Sequence, residues 1–155
     1  MRLAALSFLS TIGLFSAAAT ACPQAPQPTL PQSELVIESG TGVHRFTVEL
    51  AQTEAEKACG LMRRQRLGGD EGMLFDYRPG GPAYMWMANT IIPLDILFIA
   101  ADGRIVHIER RTTPFSLEPV GTPSTVTGVL EVRAGTADSL GVEPGDRVRH
   151  SLFDG

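Results

Sequence analysis

The sequence predicts a mostly β (α+β) fold: a single compact β-sandwich or barrel-like domain with two short helices. Three observations support this prediction. The chain has 155 residues, which is enough for one domain. Short apolar runs that alternate with polar residues recur from residue 35 onward, and this period is typical of strands. Sixteen glycines and eleven prolines favour frequent turns over long helices.

The N-terminal half of the domain shows two strand patterns followed by a helix start. In the second strand pattern, Phe46 and Val48 share one face while Thr47 and Glu49 share the other, as in a half-buried antiparallel strand. The segment from Thr53 to Glu56 has the capping-box pattern of a helix N-terminus. The predicted elements of this half are strands at 35–38, 43–50 and 72–75 and a helix at 53–62.

The C-terminal half centres on a β-hairpin. Residues 94–99 are apolar on both faces, which predicts an interior strand. Asp102-Gly103 then predicts a two-residue type I′ turn, and three prolines within 112–124 predict a surface loop. Gly141 predicts the end of a second helix. The predicted elements of this half are strands at 94–99, 104–110, 126–132 and 147–153 and a helix at 136–140.

Residues 1–21 have the pattern of a cleaved signal peptide. Arg2 precedes a run of apolar residues, and small residues ending in Ala19-Thr20-Ala21 follow it, as at a cleavage site. An uncleaved membrane anchor is the alternative, because the apolar stretch reaches a length that can span a bilayer. We therefore predict an exported bacterial protein, either periplasmic or anchored to a membrane by lipid.

Cys22 follows the predicted cleavage site, and small residues followed by cysteine resemble the lipobox of bacterial lipoproteins. Residues 22–33 are rich in proline and predict an extended tether, which leaves 34–155 as the folded domain. Lipid on Cys22 would be the chain's contact with a membrane, and simple release is the alternative. Cys59 is the other cysteine, so a disulfide would join the tail to the domain. Otherwise Cys59 is expected to be a small buried residue.

Charge and motifs exclude several function classes. Thirteen Lys and Arg residues against seventeen Asp and Glu give a net charge of −4, which opposes nucleic-acid binding. The sequence contains no P-loop, Gly-x-Ser-x-Gly, His-Glu-x-x-His or Cys-x-x-Cys motif. We assign no cofactor, no metal and no catalytic residue, and a binding module is favoured over an enzyme.

Three motifs carry a family resemblance. They are Gly60-Leu61-Met62-x-Arg64, Gly72-Met73-Leu74-Phe75 and Trp86-Met87-x-Asn89-Thr90-x-x-Pro93-Leu94-Asp95. Together they resemble domain-of-unknown-function family 192, and the resemblance covers about residues 43–148. It implies a compact β fold, often exported in bacteria, with no established activity.

Asp95 is the most informative polar residue. It opens a strand that is apolar on both faces, so its carboxylate is expected to be buried and to need a partner. Asn89, Thr90 and Arg64 are the candidate partners. Either these side chains hold the 88–93 loop in place, or they line a pocket with Trp86 that suits a sugar or another hydroxyl-rich ligand. The ligand-binding candidates are therefore Arg64, Trp86, Asn89, Thr90 and Asp95.

Our leading hypothesis is a binding or accessory module for an unknown envelope ligand or protein. The first alternative is an envelope hydrolase that uses Asp95 as acid or base. Glu131 could serve as its second carboxylate if the fold placed it about 5 to 9.5 Å from Asp95. The second alternative is Cu(I) binding by thioethers, for which the candidates are Met62, Met73, Met85 and Met87.

Overall fold

The structure, a computed structural model, describes residues 22–153. The predicted signal peptide, residues 1–21, lies outside the described residues. Within 22–153, no helix has the length and apolarity needed to cross a membrane.

The described chain folds into strands and two short helices. In chain order they are β1 (Gln32–Ser39), β2 (Gly42–Ala51), α1 (Glu54–Cys59), β3 (Glu71–Met85), β4 (Leu94–Ile99), β5 (Ile105–Glu109), β6 (Val120–Arg133), α2 (Thr136–Ser139) and β7 (Arg147–Arg149).

The strands form one curled sheet with the order β5-β4-β6-β3-β2-β1-β7. The β2–β3 pair is parallel, and the other pairs are antiparallel. An isolated bridge between Arg104 and Arg147 joins the two edges of the sheet. A hydrogen bond from the Ile105 amide to the Asp146 carbonyl, 2.9 Å long, adds to this contact. The mostly β, barrel-like prediction is confirmed: the sheet is a half-barrel.

Each face of the sheet carries its own apolar cluster. The face that packs against Ala137 of α2, here called the α2 face, includes Leu74, Leu97 and Leu130. The opposite face packs against Leu61, just after α1, and includes Phe75 and Phe98; we call it the α1 face. All six residues of β4 are buried, which confirms the prediction of an interior strand covered on both sides.

The predicted start of α1 is confirmed at the level of its cap. The Glu56 amide donates to the Thr53 hydroxyl over 3.2 Å, and the Thr53 amide donates to the Glu56 carboxylate over 2.9 Å. This capping box lowers the pKa of Glu56, mainly because the backbone amides of Thr53 and Gln52 donate to its carboxylate. The helix ends at Cys59, shorter than the predicted 53–62.

Strands β3 and β6 are much longer than predicted. β3 was expected at 72–75 and β6 at 126–132, whereas the two strands run together as far as Met85 and Val120. The register shifts between Asp76 and Ala83, so irregular pairing accommodates the proline and glycine residues of β3. The surface loop predicted at 112–124 is too long, because β6 already begins at Val120. This long β3–β6 arm positions the cleft described below.

Two smaller predictions about the C-terminal half differ from the structure. The Ala100 amide donates to the Arg104 carbonyl and the Gly103 amide donates to the Ala100 carbonyl, each over 2.9 Å. This pattern encloses a three-residue loop with a left-handed Gly103, φ 82°, in place of the predicted type I′ turn. The last strand, β7, ends at Arg149, well before residue 153.

The proline-rich segment packs on the domain. Its Gln27 side-chain amide donates to the carbonyls of Glu56 and Gly60, over 3.1 and 2.8 Å. The Leu30 amide donates to the Glu49 carboxylate over 2.8 Å, and β1 already begins at Gln32. The first part of the predicted tether is therefore a docked strap against α1 and β2.

Candidate functional site

Asp95 is fully buried on the α2 face, where backbone groups satisfy its carboxylate. One oxygen accepts a hydrogen bond from the Arg111 amide and the other from the Ala137 amide, each 2.9 Å long. Asp95 thus joins β4 to the segment after β5 and to the first turn of α2. The predicted partners Asn89, Thr90 and Arg64 do not contact it, so that assignment is wrong. A substrate cannot reach this carboxylate, and its position supports a structural role.

Arg64 pairs with a different carboxylate, that of Glu49 on β2. Its two terminal guanidinium nitrogens lie 2.8 and 2.9 Å from the two carboxylate oxygens. Glu49 is only 6% exposed, although strand alternation placed it on the polar face of β2. The structure therefore assigns Arg64 to an ion pair that anchors the loop after α1 to β2.

The segment after β3 explains why Trp86 faces solvent. Met87 is buried, and its amide donates to the Ser116 carbonyl over 3.0 Å. Since successive side chains of an extended segment alternate in direction, Trp86 is turned outward and is 55% exposed. Thr90 is buried and donates to the Ala88 carbonyl. Asn89 is exposed in a left-handed conformation, φ 54°.

An open cleft lies between α1 and the end of β3, and we call it the outer cleft. Its volume is about 240 Å³. Tyr84, like Trp86, is more than half exposed at 57%, so two aromatic side chains border the opening. The lining residues are Glu54, Lys57 and Ala58 of α1 and Tyr77, Tyr84, Met85 and Trp86 on the other wall.

Lys57 is held at the wall of the outer cleft by three contacts. Its ammonium lies 2.6 Å from the Glu54 carboxylate and donates to the Asp76 carbonyl over 3.1 Å. It also lies 5.3 Å from the centre of the Tyr77 ring, within the range of a cation–π contact. The Lys57 ammonium is thus positioned by the protein before any ligand is present, whereas its partner Glu54 is exposed.

A smaller cavity of about 30 Å³ adjoins the outer cleft, and we call it the inner chamber. The two cavities share Lys57, Ala58, Met85 and Trp86 as lining residues. Thr90 and Met62 also line the inner chamber, as does Glu131 of β6. Of the five predicted site residues, Trp86 and Thr90 are brought together here, whereas Arg64, Asn89 and Asp95 do not line either cavity.

Glu131 is the functional candidate that the sequence interpretation underrated. It is 4% exposed and makes no hydrogen bond or ion pair with any residue in the described range 22–153. Burial raises the pKa of Glu131 to about 8, so its carboxyl is mostly in the acid form at neutral pH. The sequence did contain a signal, because a lone charge interrupts the apolar run Val129-Leu130-Glu131-Val132.

Register separates Glu131 from Asp95. Ile96 pairs with Glu131, and Asp95 pairs with Val132. Side chains of directly paired residues share a face, and successive residues point to opposite faces. Glu131 therefore lies on the α1 face and Asp95 on the α2 face, with the sheet between them. The two carboxyls do not face one common site, as the hydrolase alternative required.

The methionines divide into two groups. Met62 and Met85 line the inner chamber, whereas Met73 and Met87 are buried in the apolar cluster of the α1 face. The Met85 sulfur accepts a hydrogen bond from the Tyr77 hydroxyl over 3.2 Å. Between residues 22 and 153, no group of three or more His, Cys, Asp and Glu residues is arranged to hold a metal ion.

The two cysteines are joined. A disulfide links Cys22 to Cys59, with their Cα atoms 5.3 Å apart. A sulfur in a disulfide cannot also carry a lipid thioether, so in this form Cys22 is not a lipid attachment site. Of the two possibilities left open by the sequence, the structure contains the disulfide between tail and domain.

Comparison with known proteins identifies two similar solved structures, and neither name gives a biochemical reaction. No curated protein matches the chain. A protein of unknown function from Novosphingobium aromaticivorans DSM 12444 is 40% identical, with a TM-score of 0.77 over 86% of this chain and 96% of that one. A candidate transcription regulator from Sinorhizobium meliloti 1021 is 39% identical, with a TM-score of 0.78 over 81% of this chain and 98% of that one.

A family model supports the resemblance seen in the motifs. The model of domain-of-unknown-function family 192, described as "Uncharacterized ACR", matches residues 35–150. This range spans the sheet from β1 to β7 and includes Trp86, Glu131 and the walls of both cavities. The chain therefore belongs to domain-of-unknown-function family 192.

Proposed function

We propose that this protein is an exported module of the bacterial cell envelope that binds a small hydroxyl-rich ligand, such as part of a glycan, in the outer cleft. The observation that carries the proposal is the pair of outward-facing aromatic side chains, Trp86 and Tyr84, at the opening of a 240 Å³ cavity. Exposed aromatic residues beside a few positioned polar groups are typical of sites for small polar ligands.

Each wall of the outer cleft has a role in this proposal. The indole of Trp86 offers an apolar face for the C–H groups of a sugar ring. On the opposite wall, the charged groups of Glu54 and Lys57, 2.6 Å apart, offer an acceptor and donors for ring hydroxyls. Because the protein already holds Lys57 in place, little side-chain ordering is needed when a ligand binds.

The test uses Trp86 as its own reporter, because it is the single tryptophan of the chain. Methyl N-acetylglucosaminide, methyl glucoside and methyl xyloside are titrated while indole fluorescence is recorded, and binding is repeated by calorimetry. We expect saturable binding, and Trp86→Ala should weaken it at least about tenfold, or roughly 1.4 kcal/mol. Phe115→Ala is the matched control, since Phe115 is an equally exposed aromatic residue outside both cavities. Equal affinity in Trp86→Ala would contradict the proposal.

Two observations support export. Residues 1–21 have the composition of a signal peptide, and a disulfide such as Cys22–Cys59 persists in oxidising compartments such as the periplasm. We propose release into the periplasm in preference to a lipid anchor at Cys22. The mass of the mature protein tests this, because an oxidised, unlipidated chain beginning near Cys22 is expected. Added lipid mass on Cys22 would contradict it.

The name of the Sinorhizobium meliloti relative points to transcription. For this chain, the net charge of −4 opposes binding to a phosphate backbone, so our proposal does not include DNA.

Soft-metal binding is a second candidate function, favoured by one observation. Met62 and Met85 line the same small chamber as the unpaired carboxyl of Glu131, and thioethers are ligands that select Cu(I). Titration with Cu(I) under anaerobic conditions tests it, and Met62→Leu with Met85→Leu should abolish binding. Unchanged affinity in that double variant would exclude the chamber as a copper site.

A further inference from the structure

Glu131 is the polar group of the inner chamber whose hydrogen-bonding needs the protein leaves unmet. It makes neither a hydrogen bond nor an ion pair with the residues in 22–153, and it is 4% exposed. The Glu131 oxygens are not among the fully enclosed side-chain atoms without a partner in the described residues, so they open onto the chamber. Burying a carboxyl there without a protein partner costs free energy, and an apolar residue would fill the same place in β6 without that cost. A ligand that supplies the missing partner would recover this free energy.

The size of the inner chamber limits that partner to one small group. A volume of about 30 Å³ holds about one water-sized group. Leu61, Met62 and Phe75 form apolar parts of its wall, and Thr90 adds a hydroxyl. The hydroxyl of a hydroxymethyl group fits these limits, because its oxygen takes the place of one water beside Glu131 while its carbon and the ring stay in the outer cleft.

Charges around Glu131 are already paired or distant. Lys57 on α1 is held by Glu54, and Glu49 on β2 is held by Arg64. In the cross-strand row, Glu49 and Glu109 each lie two strands away from Glu131. Burial, followed by the charges of Glu131 and Glu54, raises the pKa of the Tyr77 hydroxyl, so Tyr77 is neutral. No cation is paired with Glu131 within 22–153, and an uncharged ligand group is therefore the complementary one.

We propose that Glu131, in its acid form, binds a ligand hydroxyl inside the inner chamber, so that the site selects sugars or polyols with a protruding hydroxymethyl group. This inference rests on the proposed function of the outer cleft. The acid form of a carboxyl both donates and accepts, so it can satisfy both the oxygen and the proton of a hydroxyl. If Glu131 were ionised, the ligand would displace the water that solvates its carboxylate. The neutral ligand brings no positive charge to offset this desolvation, so binding would be weaker.

The test compares methyl N-acetylglucosaminide with its 6-deoxy analogue, which lacks only that hydroxyl. Because a site with a buried polar partner rejects an analogue without the matching group, wild-type protein should bind the parent sugar at least tenfold more tightly. Glu131→Met should bind both sugars equally, whereas Glu131→Gln should keep the preference, since an amide also donates and accepts. Glu118→Gln, an exposed carboxylate outside both cavities, is the control and should behave as wild type.

Measuring sugar affinity as a function of pH tests whether binding needs the acid form of Glu131 or only the shape of its side chain. Parent-sugar affinity should fall above about pH 8 in wild-type protein and stay flat in Glu131→Gln. Binding of both sugars by wild-type protein with equal affinity would overturn this inference and leave the outer-cleft proposal intact. Binding of neither sugar, together with no binding of methyl glucoside or methyl xyloside, would overturn both. Retention of the hydroxyl preference in Glu131→Met would also overturn the role of Glu131.

Discussion

Asp95 and Glu131 are two buried carboxyls on neighbouring strands, and they have opposite environments. Asp95 accepts hydrogen bonds from two backbone amides, each 2.9 Å long. Glu131 has no such partner within 22–153 and lines a cavity. In the β4–β6 register, the two carboxyls are offset by one residue and therefore lie on opposite faces. Asp95 lies on the α2 face, where backbone amides contact it. Glu131 lies on the α1 face and lines the inner chamber.

The difference shows how to separate a structural carboxyl from a functional one when burial alone does not. A buried carboxylate with both oxygens satisfied stabilises the fold, and its removal leaves backbone amides unpaired. A buried carboxyl without partners destabilises the fold, so its retention at a cavity favours a role in binding. Three predictions test this contrast, in order of expected effect.

The largest effect concerns Glu131 and pH. Burial raises its pKa from 4.5 to about 8, so between these values the folded protein holds a proton that the unfolded chain has released. Stability should therefore fall as the pH rises through this window, by about 1.4 kcal/mol per pH unit, and level off above about pH 8. The total change over this window is on the order of 5 kcal/mol.

Urea unfolding at pH values from 5 to 9 measures this slope in wild-type protein, Glu131→Gln and the control Glu118→Gln. The slope should disappear in Glu131→Gln and persist in the control. An identical slope in wild-type protein and Glu131→Gln would assign the pH dependence to another group.

Asp95→Asn should lower stability at neutral pH. The amide keeps one acceptor oxygen but turns an NH₂ group toward the second backbone amide, which loses a charge-assisted hydrogen bond. The expected loss is about 3 kcal/mol, or about 10 °C in melting temperature for a domain of this size. The matched control is Asp138→Asn, an exposed carboxylate paired with Arg110 and Arg111, which should change the melting temperature little. An unchanged melting temperature in Asp95→Asn would remove the contrast with Glu131.

Glu49 is a third buried carboxylate, intermediate between Asp95 and Glu131. Its partner is a side-chain cation, the guanidinium of Arg64. Arg64→Met should destabilise by about 2 kcal/mol, less than a fully buried broken pair, since the Arg64 side chain is 18% exposed and solvent screens part of the charge. Adding Glu49→Gln should recover part of this loss. Chemical denaturation of both variants provides the measurement, and a double variant less stable than Arg64→Met would indicate a role for Glu49 beyond the pair.

Local patterns predicted much of the fold. Three predictions were confirmed because each depends on neighbours within a few residues. They are the capping box at Thr53 and Glu56, the buried strand 94–99 and the helix end before Gly141. The lengths of β3 and β6 were not predictable in this way. Turn-forming residues in both strands are accommodated by irregular cross-strand pairing, which depends on two segments far apart in the chain.

In the candidate site too, some features follow from local sequence and others from tertiary structure. The family motifs and the exposed Trp86 depend on local sequence, and strand alternation around the buried Met87 turns the indole toward solvent. The partners of Asp95 and Arg64, and the inner chamber beside Trp86, were decided by tertiary structure. They depend on sheet register, where a shift of one residue moves a side chain to the opposite face. That register placed Asp95 among backbone amides and left Glu131 facing an open cavity.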